Sequence, residues 1–348
     1  MRRALPLFFL LVTACSSTAP AAATGGDDAS ADAGDEATVE ASPPPACSET
    51  VPRSPPATLV VEPDQGEAPL VASLQKATAS IHVLSYDLGP SQVLSTLEAK
   101  AKAGLDVKVI LDQSEQSFDQ PAFDALQAAG AQVEWSAPQF TYMHAKTFVV
   151  DGAEAVISSG NFDLAQLQAE RNFAAIDDDP QDVAVLAALI DADWARATPD
   201  LSCTRLLVSP VNAKPRILSL IQSAQKTLDI ESMEFADTDV QAAVVAASKA
   251  GVAVRVLIAD TGFVAENSAA EQFLTGAGIP GKTMATPEVH VKAIMVDGDR
   301  AYLGSENLSY TSLTENREVG LELLSSSGED VAKMEATFEK DWGGATPF

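Results

Sequence analysis

The sequence predicts an α/β protein made of two homologous halves packed as a pseudo-dimer, and three internal matches carry that expectation. KAGLDVKVILD (102–112) aligns with KAGVAVRVLIAD (249–260), and SIHVLSYDL (80–88) aligns with TLDIESMEF (227–235). Near the two ends, DVAVLAALIDADW (182–194) matches DVAKMEATFEKDW (330–342). Self-similarity at this spacing marks a duplicated unit that buries its apolar face against its twin. The halves run over residues 58–203 and 204–348, and a monomer is expected.

The residues before the first half read differently. Arg2 and Arg3 precede the apolar run LPLFFLLV, and small residues then lead to Cys15. Such a run is too short to span a bilayer, and the pattern is that of an export signal over residues 1–14. VTAC resembles the lipobox of bacterial lipoproteins, which implies lipidation at Cys15 and an envelope-anchored protein. Val12 departs from the usual residue there, so secretion with cleavage nearby stays open. Residues 15–57 are dominated by small residues, Pro and Asp, and 16–57 hold no aromatic residue. That composition predicts a flexible linker. In an exported chain Cys47 and Cys203 are expected either as a disulfide or as two separate thiols.

Within each half the pattern reads helix, strand, helix, glycine, strand, a variable stretch, a hairpin and a closing helix. VKVILD and VRVLIAD are short β-branched runs behind a glycine that ends an Ala- and Lys-rich helix, as buried strands of an α/β unit require. HAKTFVVDGAEAVISSGN (144–161) and HVKAIMVDGDRAYLGSEN (290–307) each read as two strands turned at Asp-Gly, at Asp151-Gly152 and Asp297-Gly298.

Those hairpins hold two of only three histidines in the chain. Alternate residues of a strand share a face, so His144 projects with Lys146 and His290 with Lys292. The return strands bring Ser159 with Asn161, and Ser305 with Asn307, beside the same faces. Each half thus offers an imidazole, an ammonium, a hydroxyl and an amide, a set suited to nucleophilic or acid chemistry on an anionic oxygen centre. Asp151 and Asp297 are expected as turn residues, because Asp-Gly favours local hydrogen bonding. Ser159 and Ser305 either cap backbone groups or bind oxygens. His82 faces Asp229 in the repeat and is expected as a structural or surface residue. No Cys/His/Asp cluster has ligand spacing, so neither a metal nor another cofactor is expected.

The pattern His-x-Lys-x4-Asp-x6-Gly-Ser-x-Asn resembles the signature of the phospholipase D superfamily. The second copy matches at every defined position, and the first departs only at Ser158, where Gly is usual. The resemblance implies two mixed sheets flanked by helices, with one active site between the halves. It also implies metal-independent phosphodiester cleavage through a phosphohistidine, with one histidine attacking and the other protonating the leaving alcohol. Lys146, Lys292, Asn161 and Asn307 would then hold the phosphoryl oxygens. In the family an acidic residue beyond the motif hydrogen-bonds a histidine. Glu318 lies 28 residues after His290, and Asn172 lies 28 after His144. That spacing gives His290 the carboxylate and the acid role, and leaves His144 as nucleophile. Glu170 is an alternative orienting carboxylate.

Charge narrows the substrate. The net charge is −27, and residues 1–60 contribute only seven acidic and three basic residues to it. A negative body repels polyanions, so nucleic acid is not an expected partner. Residues 113–143 hold no Lys or Arg, and 261–289 hold only Lys282. Phe118, Phe123, Phe140, Tyr142, Met143, Phe263, Phe273 and Met284 in these stretches are candidates for an acyl groove. The leading expectation is an exported, lipid-anchored phospholipase D that hydrolyses glycerophospholipids to phosphatidic acid, with transphosphatidylation when alcohols are present. An exported endonuclease or other phosphodiesterase of the superfamily, and an envelope binding protein with a decayed site, are the alternatives.

Overall fold

The computed structural model describes residues 52–202 and 204–348. The proposed signal, Cys15, Cys47 and Cys203 lie outside the described residues, as does most of the expected linker. Its last residues are packed, however. Arg53 is buried, donating to Asp177 at 3.2 Å and Asp182 at 2.7 Å, and it lies 3.2 Å from Glu329. The ordered body therefore starts before residue 58, because one guanidinium neutralises carboxylates from both halves.

The first half contributes strands β1 (Thr58–Glu62), β2 (Ser80–Ser85), β3 (Asp106–Leu111), β4 (Gln132–Trp135), β5 (Lys146–Val150), β6 (Glu154–Ser158) and β7 (Glu170–Asp177). They lie in the order β1-β7-β6-β5-β2-β3-β4. The second half contributes β8 (Leu207–Ser209), β9 (Thr227–Ser232), β10 (Ala253–Ala259), β11 (Gly281–Met284), β12 (Glu288–Val289), β13 (Lys292–Val296), β14 (Arg300–Gly304), β15 (Glu318–Leu324) and β16 (Thr346–Pro347). Its sheet runs β16-β11-β10-β9-β13-β14-β15-β8. Both sheets are mixed. β2, β3 and β4 are parallel, as are β9, β10 and β11, while the hairpins and closing strands run antiparallel.

The local rules explain the parallel parts. Ser91 caps the helix Gln92–Lys102 by accepting from Leu94 N at 3.1 Å, and Asp237 caps Thr238–Lys249 in the same way. Gly104 (φ 89°) and Gly251 (φ 95°) then take the left-handed conformation that stops each helix and turns the chain into β3 or β10. The helix faces bury Val93, Leu97 and Ala101 in one half, and Val240, Val244 and Ala247 in the other.

A third apolar layer lies between the sheets. Val149, Ile157 and Phe173 from the first sheet share one buried cluster with Met295, Leu303 and Leu321 from the second. Both closing helices enter it, Pro180–Trp194 through Leu186 and Ile190, and Val331–Gly344 through Met334 and Phe338. This explains the matched sequences near the two ends.

The two closing helices also carry reciprocal ion pairs. Arg171 on β7 is buried and donates to Asp341 at 2.6 and 3.1 Å. Its repeat equivalent, Arg317, donates to Asp193 at 3.0 Å. Each arginine thus reaches the closing helix of the other half. Removing one partner of such a buried pair leaves an uncompensated charge. Asp341→Ala is expected to lower the unfolding free energy by about 3 kcal/mol, read from urea denaturation, with Asp193→Ala giving a loss of the same order.

Candidate active site

The functional side chains are positioned by a crossing of the two halves. The histidines sit just outside β5 and β13, in lead-in segments that pair with the opposite half. His144 N donates to Arg317 O at 2.9 Å, and His290 N donates to Arg171 O at 3.1 Å. β12 lies parallel to the start of β7, with Glu288 beside Glu170 and Val289 beside Arg171. The arginines that bridge to the closing helices therefore also hold the backbone of the opposite histidine.

Both lysines begin their strands and turn back. Lys146 Nζ donates to His144 O at 2.6 Å, and Lys292 Nζ donates to His290 O at 2.6 Å. Lys292 Nζ lies 3.4 Å from His290 Nε2. Burial lowers Lys146 to about 8, and burial with the neighbouring Lys146 charge holds Lys292 well below the ordinary ammonium range. An arriving phosphodiester anion would relieve that repulsion.

The histidine partners are crossed as well. His144 Nδ1 lies 2.9 Å from Glu318 Oε2, while Ser312 Oγ and Asn316 Nδ2 donate to Glu318 Oε1 at 2.7 and 3.0 Å. His290 Nδ1 lies 3.0 Å from Asn172 Oδ1 and 3.3 Å from Glu170 Oε2. Residue spacing had matched Glu318 with His290 in its own copy. The structure corrects this, because each partner strand serves the histidine of the other half. Burial would raise Glu318, but the charge and hydrogen bond of His144 hold it below the usual carboxylate range. Burial lowers His144 to about 4 against the pull of Glu318. Burial, then Lys292, Lys146 and His144, push His290 well below its ordinary value. The two imidazoles thus lie within electrostatic reach of each other.

The remaining motif residues divide by role. Asp151 and Asp297 stand in the hairpin turns at φ 52° and 55°. Asp151 accepts from the backbone N–H groups of Thr78, Ala79 and Ser80, each at 2.8 Å. Asp297 accepts from those of Gln225, Lys226 and Thr227 at 2.7–2.9 Å. These carboxylates clamp the turn to the start of β2 or β9 and do not meet the histidines. Ser159 Oγ donates to Asn172 Oδ1 at 2.8 Å and accepts from Phe173 N, and Ser305 Oγ accepts from Val319 N. Both serines therefore serve the strand behind the site. Asn161 gives its amide to Asp87 at 2.9 Å and Gln166 at 2.7 Å. Asn307 lines the cavity in front of His144. His82 pairs with Asp106 on the outer part of the sheet.

Ser158 in place of Gly has a steric explanation. A Cβ on Gly304 would lie 2.5 Å from Gly320 Cα and 2.6 Å from the Tyr302 hydroxyl, so only Gly fits there. In the first half Val156 and Ala174 occupy the places of Tyr302 and Gly320, and Ser158 is accommodated opposite Ala174.

The cavity has a volume of about 590 Å³ and is lined by Tyr86, Thr141, Tyr142, His144, Glu234, Ala236, Asn307, Ser309, Tyr310, Thr311, Ser312 and Asn316. Its wall is rich in hydroxyls and amides and includes no Lys or Arg. Of the aromatic and Met residues expected to form an acyl groove, only Tyr142 lines it. Met143 and Met284 are core, Phe123 stacks on Trp135, and Phe273 packs on the core of the second half. Sequence reasoning missed Tyr86 and Glu234. The Tyr86 ring lies 4.6 Å from the His144 ring, and Lys146 Nζ sits 4.9 Å from its centroid. Both residues follow the carboxyl ends of inner strands β2 and β9, where α/β sheets place ligand sites, and that was the available signal.

Fold and geometry together define a two-copy protein in which each half carries a His/Lys pair and each histidine is bonded to side chains of the other half. The chain belongs to the phospholipase D superfamily, since the family described as "Cardiolipin synthase, PLD-like domain" matches residues 70–194 and 217–342. It is 26% identical over 321 residues to a cardiolipin synthase of Listeria monocytogenes serotype 4b (strain F2365), covering 78% of this chain and 66% of that protein. A cardiolipin synthase of Clostridium perfringens (strain 13 / Type A) is 24% identical over 325 residues, covering 78% and 67%. The chain thus spans about two thirds of the length of these curated relatives. Among solved structures, phosphatidylserine synthase from Haemophilus influenzae Rd KW20 is similar with a TM-score of 0.62 at 14% identity, covering 86% of this chain and 90% of that one. Polyphosphate kinase from Porphyromonas gingivalis is similar with a TM-score of 0.60 at 17% identity, covering 77% and 47%. These two likenesses concern the fold.

The turn carboxylates should be separable from the chemistry. Asp151→Ala is expected to cost about 1–2 kcal/mol of stability through its lost charged hydrogen bonds, measured by urea denaturation. The rate constant of the folded fraction should stay within about threefold of wild type, whereas removal of a catalytic acid or base costs about 10²-fold or more.

Proposed function

We propose that this protein cleaves the head-group phosphodiester of glycerophospholipids by double displacement through a phosphohistidine. Water as acceptor gives phosphatidic acid, and an alcohol as acceptor gives a new phosphatidyl ester. The observation that carries this reading is the crossed site. His144 lines the cavity, and His290, Lys146 and Lys292 are buried within electrostatic reach of it, one imidazole and one ammonium group coming from either half. One imidazole attacks phosphorus while the other protonates the leaving oxygen, which splits one hard displacement into two easier ones. In this reading Lys146 and Lys292 neutralise the charge that builds on the phosphoryl oxygens.

Two features favour a phospholipid over a polynucleotide. The cavity wall has Glu234 and no cation, which suits a polar head group better than a chain of phosphates. The curated relatives named above are cardiolipin synthases. Burial raises Glu234, although Ser309 and the Lys292 charge pull it back. Attachment to the cell envelope through a lipid at Cys15 belongs to the same proposal and rests on the VTAC segment. Among the described residues no helix is long and apolar enough to cross a membrane.

The test is choline release from phosphatidylcholine vesicles in EDTA, run beside plasmid nicking, with ethanol added to intercept the intermediate as phosphatidylethanol. Choline release without nicking is expected, and His290→Ala should reduce it about 10³-fold. Nicking without choline release would replace the lipid reading with a nuclease.

A further inference from the structure

The segments that follow the two closing helices are copies of one another with different fates. WARATP (194–199) aligns with WGGATP (342–347). In the second half Thr346–Pro347 forms β16 and covers the edge of its sheet, with Thr346 opposite Thr283 and Pro347 opposite Lys282 on β11. In the first half the equivalent edge strand, β4, pairs only with β3 among the described residues. Thr198 and Pro199 stand outside any strand, because the chain must continue to β8 of the other half, and they line a second cavity.

That cavity has a volume of about 420 Å³ and a mainly apolar wall, to which Phe140, Ala197, Pro199, Leu201, Pro210 and Val211 contribute. Arg317 also lines it, but its guanidinium is engaged. Nη2 donates to Asp193 at 3.0 Å, Nη1 donates to Ser209 O at 3.1 Å, and the group lies 4.3 Å from the centroid of the Phe140 ring. The apolar cavity adjoins the one in front of His144. Thr141 N donates to Glu315 O at 3.1 Å, Arg317 N to Tyr142 O at 2.9 Å and His144 N to Arg317 O at 2.9 Å, so the two segments form one ladder. Thr141, Tyr142 and Asn316 of that ladder face the polar cavity, while Phe140 and Arg317 face the apolar one. Along the chain Phe140 is at most about 14 Å from His144.

We infer that the apolar cavity takes one acyl chain of the substrate, an assignment that rests on the phospholipid reading above and fixes where the tail of the lipid lies. The polar cavity is a poor place for that tail. Its wall is hydroxyl and amide, and an alkyl chain there would strip water from polar groups and return no hydrogen bond. An anionic occupant of the apolar cavity is disfavoured in turn, because Asp193 already neutralises Arg317. The exposed surface agrees. Among the described residues the large apolar side chains left exposed are Phe118, Tyr142, Val211 and Tyr310, and three of these four rim the two adjoining cavities. Val211 is 57% exposed, and covering it with methylenes removes apolar surface from water. Of the residues that the sequence offered for acyl contact, only Phe140 takes part. The rest of the wall comes from the connection between the halves, where the first ATP segment left its sheet edge.

The test compares kcat/KM in EDTA for monomeric dibutanoyl, dipentanoyl and dihexanoyl phosphatidylcholine with that for bis(p-nitrophenyl) phosphate, which has no acyl chain. In the wild type the value should rise about fourfold with each CH2 that becomes buried. Val211→Asp sets a charge at the mouth and Ala197→Phe fills the space, and both positions are exposed, which spares the core. Each variant should lower the ratio of dihexanoyl lipid to nitrophenyl diester about tenfold and flatten the rise to less than about twofold per step. An unaltered rise in both variants would overturn the acyl site, as would a flat series in the wild type. Either result leaves the lipid reading standing, since lipid is still turned over. Loss of self-association in Val211→Asp by light scattering, with the lipid series unaltered, would give the surface to a second copy and also overturn the site. Turnover of the nitrophenyl diester with none of any lipid would sink the lipid reading and the acyl site together, and so would no turnover of either.

Discussion

The arrangement depends on two buried arginines that each work in both directions across the dyad. Arg171 and Arg317 send their guanidinium groups to Asp341 and Asp193 on the opposite closing helices, and their carbonyls accept the backbone N–H of His290 and His144. A charge sealed in an apolar interface tolerates little displacement, because misplacing it costs several kcal/mol. The strand starts are therefore held firmly, and the residues on either side of each arginine are held with them. Those neighbours are the ones that touch the histidines.

A consequence is that neither half holds a complete site. His144 has its carboxylate partner on β15, and His290 has its amide and carboxylate partners on β7. The interface that packs the halves also brings each histidine to its partners. Both imidazoles and both ammonium groups are pushed toward their neutral forms by burial and by one another. The energetic tension is suited to a site whose substrate is an anion, because that anion supplies the missing counter-charge.

Duplication supplied the symmetry, and local substitutions then broke it. Asp151 and Asp297 kept the same turn-clamping role in both halves, since the geometry at positive φ with three N–H groups to satisfy is the same in each. Asn161 and Asn307 diverged, the first enclosed by Asp87 and Gln166 and the second lining the cavity. Ser158 and Gly304 diverged because Tyr302 crowds the second half and Val156 leaves room in the first. The Glu/Asn order diverged beside the histidines themselves.

Much of this was legible in the residues alone. The repeat offsets, the glycine-ended helices before VKVILD and VRVLIAD, and the Asp-Gly hairpins are local patterns whose physics acts within a few residues. They determined the two α/β halves and placed the two histidine–lysine pairs, while the mixed sheets were implied by the family resemblance. Only the tertiary structure decided which partner serves which histidine. Counting 28 residues from each histidine pointed to the partner in the same copy, whereas the packing of the halves exchanges them. It also decided that Met143 and Met284 of the expected acyl-groove residues are core, that Phe123, Phe140, Phe263 and Phe273 pack against it, and that Arg53 is buried with carboxylates of both halves. Sequence spacing records distance along one strand or helix. Which side chains meet across an internal dyad depends on how two separately formed surfaces fit, and no local pattern encodes that.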